Sequence, residues 1–438
     1  MPSLTKKQLR VVSGTITRFF SVNAFETSNE WRKLGVEDFF LRRLELTGNR
    51  QLYLTDMGMD QFRALVTALH DGDVSDGLAE YSDIWNMCKQ VVEDLMSRNL
   101  RPEDATEFIG LVTEQVKAKT DEYTFVVPIV GIELEEVEEL KLGSMKVVAA
   151  SVSFLNAAGI KHDHANIQKI INVTDQRLWL VGSTRGTLKV ATEKFRSKAE
   201  LAVGLLAAHA AAHYKGGASG FRIGIVMKPE HSYTRATWMC WSASERELQT
   251  TYHFGASQNL KIGSELAKQL SEEPLYPAAF RVFEAENRSE LEERIARGVF
   301  WFADAHREPI TVMKLIKYWS CVETFFSQST GITKSVSVGL ASVLVFGGCQ
   351  FVPEAQYRPL KKRITKLYGF RCSAVHAAEH EHVSERDVSD LSQWAAWLLI
   401  CMVSFVERGY TTLAEIREQC IRLDATTDLS SKNPINPS

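Results

Sequence analysis

Arg371 and His376 are the two residues whose types and spacing offer most chemistry. A guanidinium presents a rigid fork of N–H donors that matches a phosphate. An imidazole titrates near neutrality, so it can take a proton and return it. Arg371 ends a cationic run, Tyr357–Arg371, YRPLKKRITKLYGFR. That run holds Arg358, Lys361, Lys362, Arg363, Lys366 and Arg371 and no acid, and the next carboxylate is Glu379. Polyanion affinity comes mainly from such Lys and Arg clusters. The plain alternative is a solvated helix face with a His near its C-terminal end. Helix geometry adds a constraint, because five residues at ~100° each set Arg371 and His376 about 140° apart on an ideal helix. Both can serve one groove only if the long Arg side chain wraps round or the groove is wide.

Glu323 is the third residue of interest. Val312, Leu315, Ile316, Trp319, Val322 and Phe326 form an apolar stripe at i, i+3, i+4, i+7 spacing. Glu323 lies four residues after Trp319 and three before Phe326, on or beside that stripe. A carboxylate there is costly unless paired. Arg371 is the expected partner, and an edge position that reaches water is the alternative.

These residues carry a resemblance. The segment 309–406 resembles a HEPN domain, specifically the Apea-like HEPN family. Arg371-x4-His376 stands where that family has its Arg–His motif, on the penultimate long helix. The stretch KLIKYWSCVETFF, Lys314–Phe326, is similar to the family's first conserved helix, whose Glu would be Glu323. The strand pair around Val126–Ile132 and Leu142–Val148 resembles the N-terminal region often found with the family. The resemblance implies metal-independent cleavage of RNA without a cofactor. His376 would be the acid–base group, and Arg371 would hold the scissile phosphate and stabilise the transition state. Glu323 would be a supporting residue, with Arg358, Lys361, Lys362, Arg363 and Lys366 as RNA-binding cations. A 2′-hydroxyl nucleophile accounts for a preference for RNA. The family dimerises so that two Arg–His pairs line one cleft, which implies a homodimer here. Such proteins resemble bacterial toxins and antiphage abortive-infection effectors. Active members often carry Asn, Asp or His after the Arg, whereas this chain has Cys372, a weak hydrogen-bonding group. A non-catalytic HEPN module that binds RNA, nucleotide or a protein is therefore the alternative.

A different motif overlaps the same place. His376-Ala-Ala-Glu379-His380 matches the inverted zinc-peptidase pattern H-x-x-E-H. It would need a third ligand, for which Glu407 or Glu415 could be nominated. Against it, Ser384-x-x-Asp387 reads as the cap of a new helix, so the preceding one must end nearby. His209 and His213 lie at i, i+4 on an Ala-rich helix without an acidic or Cys neighbour, so core or helix-end positions are expected. His162 and His164 flank Asp163 in an expected loop. Gly216–Gly220 lacks the spacing of a phosphate loop, and no G-x-S-x-G elbow occurs.

The elements that must position these groups set the scale of the protein. The chain has 438 residues, 45% hydrophobic and 24% charged. That composition excludes a mostly disordered chain, a collagen and a coiled-coil rod. Lys plus Arg total 51 against 54 Asp plus Glu, a net charge of −3. Such a balance argues against a generally basic nucleic-acid binder, so any RNA contact must be local. Seven scattered cysteines without a Cys-x-x-Cys pair argue against a disulfide framework or zinc ribbon. They suit a cytoplasmic protein. The N-terminus does not read as a secretory signal. The apolar runs Leu201–Tyr214 and Trp394–Val406 fall short of the ~20 residues that span a bilayer. Both are expected as buried helices, with no membrane partner.

The expected fold is multidomain, an N-terminal α+β region followed by an all-α helical bundle. Residues 1–120 read as a mixed region with helices over Asp60–His70 and Tyr81–Met96 and a third opened by Pro102. Residues 121–290 read as an α+β accessory or sensing domain. Its expected strands are Tyr123–Ile132, Met145–Phe154, Gln176–Val181 and Phe221–Met227, and its helix is Lys194–Tyr214, capped by Gly216 and Gly217. Residues 291–424 read as the bundle, with helices over Leu291–His306, Pro309–Ser327, Lys334–Phe346, Tyr357–Ala378, Ser384–Arg408 and Thr411–Arg422. The polar stretch 425–438 reads as a disordered tail.

Overall fold

The computed structural model describes residues 4–26, 40–157, 178–214, 221–227, 236–240, 249–253, 259–327, 332–377 and 383–430. The expected Gly216–Gly217 cap, the Gly216–Gly220 loop, His162, His164, Glu379 and His380 lie outside them. Two compact units emerge, one of residues 1–124 with 183–195 and one of 125–182 with 196–438.

The first unit is α+β. Strand β1 (Phe25–Glu26) pairs antiparallel with β3 (Arg50–Leu54), and β3 with β2 (Arg43–Leu46). Gly48 and Asn49 take the left-handed backbone that tightens the β2–β3 turn. Around this sheet lie α1 (Lys6–Phe19), α2 (Asp56–Asp71), α3 (Tyr81–Ser97) and α4 (Ala105–Lys119). Their buried faces join in one core that includes Phe19, Phe62, Val92 and Phe108. The helix after Pro102 starts later than its proline suggests. Asp104 is its N-cap, and the Asp104 carboxylate accepts from the Glu107 N–H at 2.9 Å. A capping carboxylate satisfies an orphan donor, whereas proline only tolerates the first turn.

A five-stranded sheet has the order β6-β7-β8-β4-β9, and most of its residues belong to the second unit. Its strands are β4 (Asp121–Val130), β6 (Glu139–Leu142), β7 (Met145–Ala149), β8 (Leu178–Gly186) and β9 (Gly224–Ile225). Strand β5 (Ile132–Leu134) pairs in parallel with β12 (Leu260–Ile262), while β10 (Ala236–Cys240) and β11 (Gln249–His253) form an antiparallel pair. The expected strand Met145–Phe154 stops at Ala149. Val152–Ala157 instead forms a short helix, α5, whose start is tied by the Ser151 hydroxyl accepting from the Phe154 N–H. A hydroxyl before the turn competes with the ladder for backbone donors. The Ala-rich segment is α6 (Leu188–His213), longer than expected at its N-terminal end.

Helices then follow in succession. They are α7 (Ser264–Glu272), α8 (Leu275–Glu284), α9 (Glu290–Arg307), α10 (Thr311–Phe326), α11 (Ile332–Phe346), α12 (Tyr357–His376), α13 (Glu385–Glu407) and α14 (Leu413–Ser430). The C-terminal part is thus helical. Helix α10 packs against α9, α12 and α13, and α11 packs against α12 and α14. The close approach is set by Gly298, where a Cβ would come within 3.0 Å of Phe325 of α10 and Leu399 of α13. Capping boxes at Ser289–Glu292 and Ser384–Asp387 start α9 and α13, the second as its spacing predicts.

Helix α13 is long and apolar enough to cross a bilayer by length and composition, but 67% of its apolar window is buried inside the fold. The polar stretch from 425 is helical through Ser430 and not a coil. Arg358 donates to the Thr427 carbonyl at 2.8 Å, and the Thr426 and Thr427 hydroxyls bond to preceding carbonyls. Those bonds satisfy the groups that would otherwise favour fraying.

Candidate active site

Helices α10 and α12 place the groups of interest. Leu315, Tyr318, Trp319, Cys321, Val322, Phe325 and Phe326 bury one broad face of α10. Glu323 sits at its margin and turns its carboxylate to α12. Arg371 Nε lies 3.1 Å from Glu323 Oε1, and Arg371 Nη2 donates to Oε2 at 3.1 Å. The two side chains are 20% and 17% exposed. The expected pairing is therefore formed, through one hydrogen bond from Nη2, while Nε stands within ion-pair distance without hydrogen-bond geometry.

Tyr368 completes the cluster, although nothing in the linear order distinguishes it from its neighbours. Its hydroxyl donates to Glu323 Oε1 at 2.7 Å. Its ring meets Trp319 edge-on at 5.1 Å and lies 5.8 Å from the Arg371 guanidinium carbon. Burial first, then the Glu323 carboxylate, pushes the Tyr368 phenol well above its ordinary range, so it remains a donor. The available signal is its i, i+3 relation to Arg371, which puts both on one helix face.

His376 is the last residue of α12 and is exposed. Among the described residues nothing joins it to the Glu323–Tyr368–Arg371 cluster. The helical offset between Arg371 and His376 is realised, since the Arg turns inward to Glu323 while the His stands at the rim. Cys372, next to Arg371, is partly exposed.

The cationic run changes character in three dimensions. Lys361 pairs with Asp424, and Arg363 pairs with Asp387 at 2.6 Å and Asp390 at 3.1 Å. Arg358 holds the Thr427 carbonyl. Lys362 and Lys366 are exposed, with the Lys366 ammonium 5.7 Å from the Phe370 ring. The acids absent from Tyr357–Arg371 thus arrive from α10, α13 and α14. Lys361 and Arg363 are engaged in the fold and not left for phosphate, whereas Lys362 and Lys366 remain on the solvent side.

The peptidase pattern loses its helical frame, because α12 ends at His376 with Ala377 as its cap. Glu407, one nominated third ligand, pairs with Arg281 at 2.6 Å, and Glu415 accepts from the Thr412 hydroxyl. Among the described residues no three His, Cys, Asp or Glu side chains converge as a metal site. His209 is buried against Tyr276, and His213 is exposed at the end of α6.

Comparison with protein-family models, with characterised proteins and with solved structures returns no match.

Proposed function

We propose that this chain is a metal-independent endoribonuclease of HEPN type, acting through Arg371 and His376. The observation that carries the reading is the partly buried Glu323–Arg371–Tyr368 cluster, which locks a guanidinium five residues before an exposed imidazole. Glu323 holds Arg371 through the hydrogen bond from Nη2, with Nε beside its other oxygen. The Nη1 edge is left to meet a phosphate oxygen as charge builds at phosphorus. His376, unencumbered at the rim, accepts the proton of the ribose 2′-hydroxyl. The 2′-oxygen then attacks phosphorus and the 5′-oxygen departs, leaving a 2′,3′-cyclic phosphate. The departing oxygen takes its proton from the equivalent histidine of a second copy, so the working form is a homodimer. Exposed Lys362 and Lys366 guide the strand. On this reading the protein works in the cytoplasm as a toxin or antiphage effector, and residues 1–290 restrain or trigger it.

A second reading has its own support. Lys361 and Arg363 are already neutralised, and Cys372 follows the Arg, as suits a module that binds RNA, nucleotide or protein without cutting. One experiment separates the two. Purified full-length protein is incubated in chelator with an RNA and with its counterpart lacking 2′-hydroxyls. The nuclease reading expects cyclic-phosphate ends from the first only, and loss of cleavage in His376→Ala. Intact RNA that is nonetheless retained by the protein would replace it with the binding module.

A further inference from the structure

Within the first unit, helices α2 and α3 and the residues just before β2 line a cleft of about 440 Å³. That volume falls in the range of small-ligand sites. Tyr81, Trp85 and Lys89 line it from α3 at i, i+4, i+8 spacing, so they form one row. Met59 and Arg63 line it from α2, and Phe40 and Leu41 from the segment before β2.

The two α3 rings are held in place by their neighbours. Phe62 meets the Trp85 indole nearly at right angles, with ring centroids 4.6 Å apart. Tyr81 lies 6.4 Å from Trp85, tilted by 37°, and 5.7 Å from the His70 ring. Tyr81 is nonetheless exposed and Trp85 partly so. Aromatic side chains that are fixed yet open make a stacking platform for a planar ring.

The charge lining the cleft has one sign. Arg63 and Lys89 are its two cations, and no carboxylate lines it. Lys89 spends one N–H on the Phe40 carbonyl at 3.3 Å, and an ammonium has two more. Burial first, opposed by Glu93 and Glu45 and reinforced by Arg43, pushes the Lys89 amine below its ordinary range. An arriving anion would offset that cost. Arg63 is exposed. Its guanidinium, the Tyr81 hydroxyl and the Asn86 amide make no hydrogen bond among the described residues. Their polar groups are open to a ligand, whereas Lys361 and Arg363 are engaged by acids of the fold.

We infer that this cleft binds a nucleotide, with its base stacked against Trp85 and Tyr81 and its phosphate held by Arg63 and Lys89. A neutral ring alone would leave both cations unanswered, and inorganic phosphate alone would leave the aromatic platform empty. The Asn86 amide supplies the donor and acceptor that a base edge or a ribose hydroxyl would use. The inference concerns the first unit alone and does not rest on the ribonuclease reading.

The test titrates the full-length protein calorimetrically with ADP, GDP, CDP and UDP, and with the parent nucleosides and pyrophosphate as half-ligands. At least one diphosphate should bind at a single site per chain, about tenfold or more tighter than its nucleoside or pyrophosphate. Arg63→Gln removes no internal bond and should weaken that binding about tenfold or more. Trp85→Leu keeps an apolar contact for Phe62 and should weaken it comparably. A nucleotide within a single strand offers the same base and phosphate. A 2′-O-methyl RNA decamer, which has no 2′-hydroxyl to attack phosphorus, is therefore titrated in parallel. Tighter binding of the decamer, lost in Arg63→Gln, would support the site with a strand as the source of its nucleotide. No binding of any diphosphate or of the decamer would overturn the inference. Binding that both variants leave unchanged, or pyrophosphate binding as tightly as the diphosphates, would overturn it as well.

Discussion

Helix α12 carries the same chemical arrangement twice, once near each end. Near its start, the Tyr357 hydroxyl donates to Asp424 Oδ1 at 2.8 Å and Lys361 pairs with the same carboxylate. Near its end, the Tyr368 hydroxyl donates to Glu323 and Arg371 pairs with that carboxylate. Each is a phenol and a cation from α12 closing on one acid of a neighbouring helix. The difference lies in the cation and in what stands next to it. Lys361 is a point charge that folds back within 5.9 Å of the Tyr357 ring, in a network with buried Ser342. Arg371 is a fork, so one edge can be anchored while another remains available. An exposed imidazole follows it within five residues, and nothing comparable accompanies Lys361. A cation–acid cluster is therefore an ordinary way to fasten a helix, and the guanidinium beside the histidine is what the proposed cleavage would draw on in the second cluster.

Substitutions at matched positions test that contrast. Arg371→Ala should lower RNA cleavage by about 100-fold or more, in the range of lost acid–base or charge stabilisation. Lys361→Ala should leave turnover near the wild-type value. Equal losses in the two variants, read in a single-turnover cleavage assay, would dissolve the distinction.

The pH profile of that assay needs a control, because other histidines respond to acid through the fold. Burial holds His306 down to about 3 and His209 down to about 4, each aided by neighbouring positive charge. Both bases have folded values below the unfolded ~6.5. Their stability contribution is thus complete above that value and is lost as pH falls toward the folded ones, because the unfolded chain binds more protons there. About 2 kcal/mol per histidine should be gone by pH 5. Denaturant midpoints measured from pH 8 to 5 should fall accordingly, and a flat profile would contradict the buried neutral state.

Smaller effects concern the carboxylates. Glu323→Gln and Asp424→Asn each leave a partly buried cation without its counter-charge and should cost about 1–2 kcal/mol in denaturant unfolding. Only Glu323→Gln should also reduce cleavage, through Arg371. Equal effects of both variants on turnover would show that general destabilisation, not positioning, is being measured. The smallest expected change is for the phenols. Tyr357→Phe and Tyr368→Phe should each cost about 1 kcal/mol, with Tyr357→Phe the larger because its hydroxyl also meets Ser342.

Much of the architecture was readable without coordinates. The spacing of apolar residues located α2, α3 and α9 to α13 within a few residues, because a helix records its buried face every three or four positions. Ser384 and Asp387 marked the start of α13 through a purely local bond pattern. The readings that differ involved competition between local signals. Pro102 is permissive for a helix start, but Asp104 supplies the hydrogen bond and takes the cap. After Ala149, Ser151 offers the backbone an alternative to the strand. The polar residues past Arg422 lack an apolar stripe, yet Arg358 holds them in a helix from sixty-nine positions away.

The sequence by itself determined the helical elements, the presence of Glu323 beside an apolar stripe, and the offset of Arg371 from His376. Those properties depend on residue type and on a fixed rotation per residue. Only the tertiary structure decided how charge is spent. Six cations without an acid look like a phosphate surface along the chain, but Glu323, Asp387, Asp390 and Asp424 reach them from three other helices. It also selected Tyr368 from its neighbours. Ion pairs and hydrogen bonds act over a few ångströms of space, and the distance between two residues in sequence carries no measure of that.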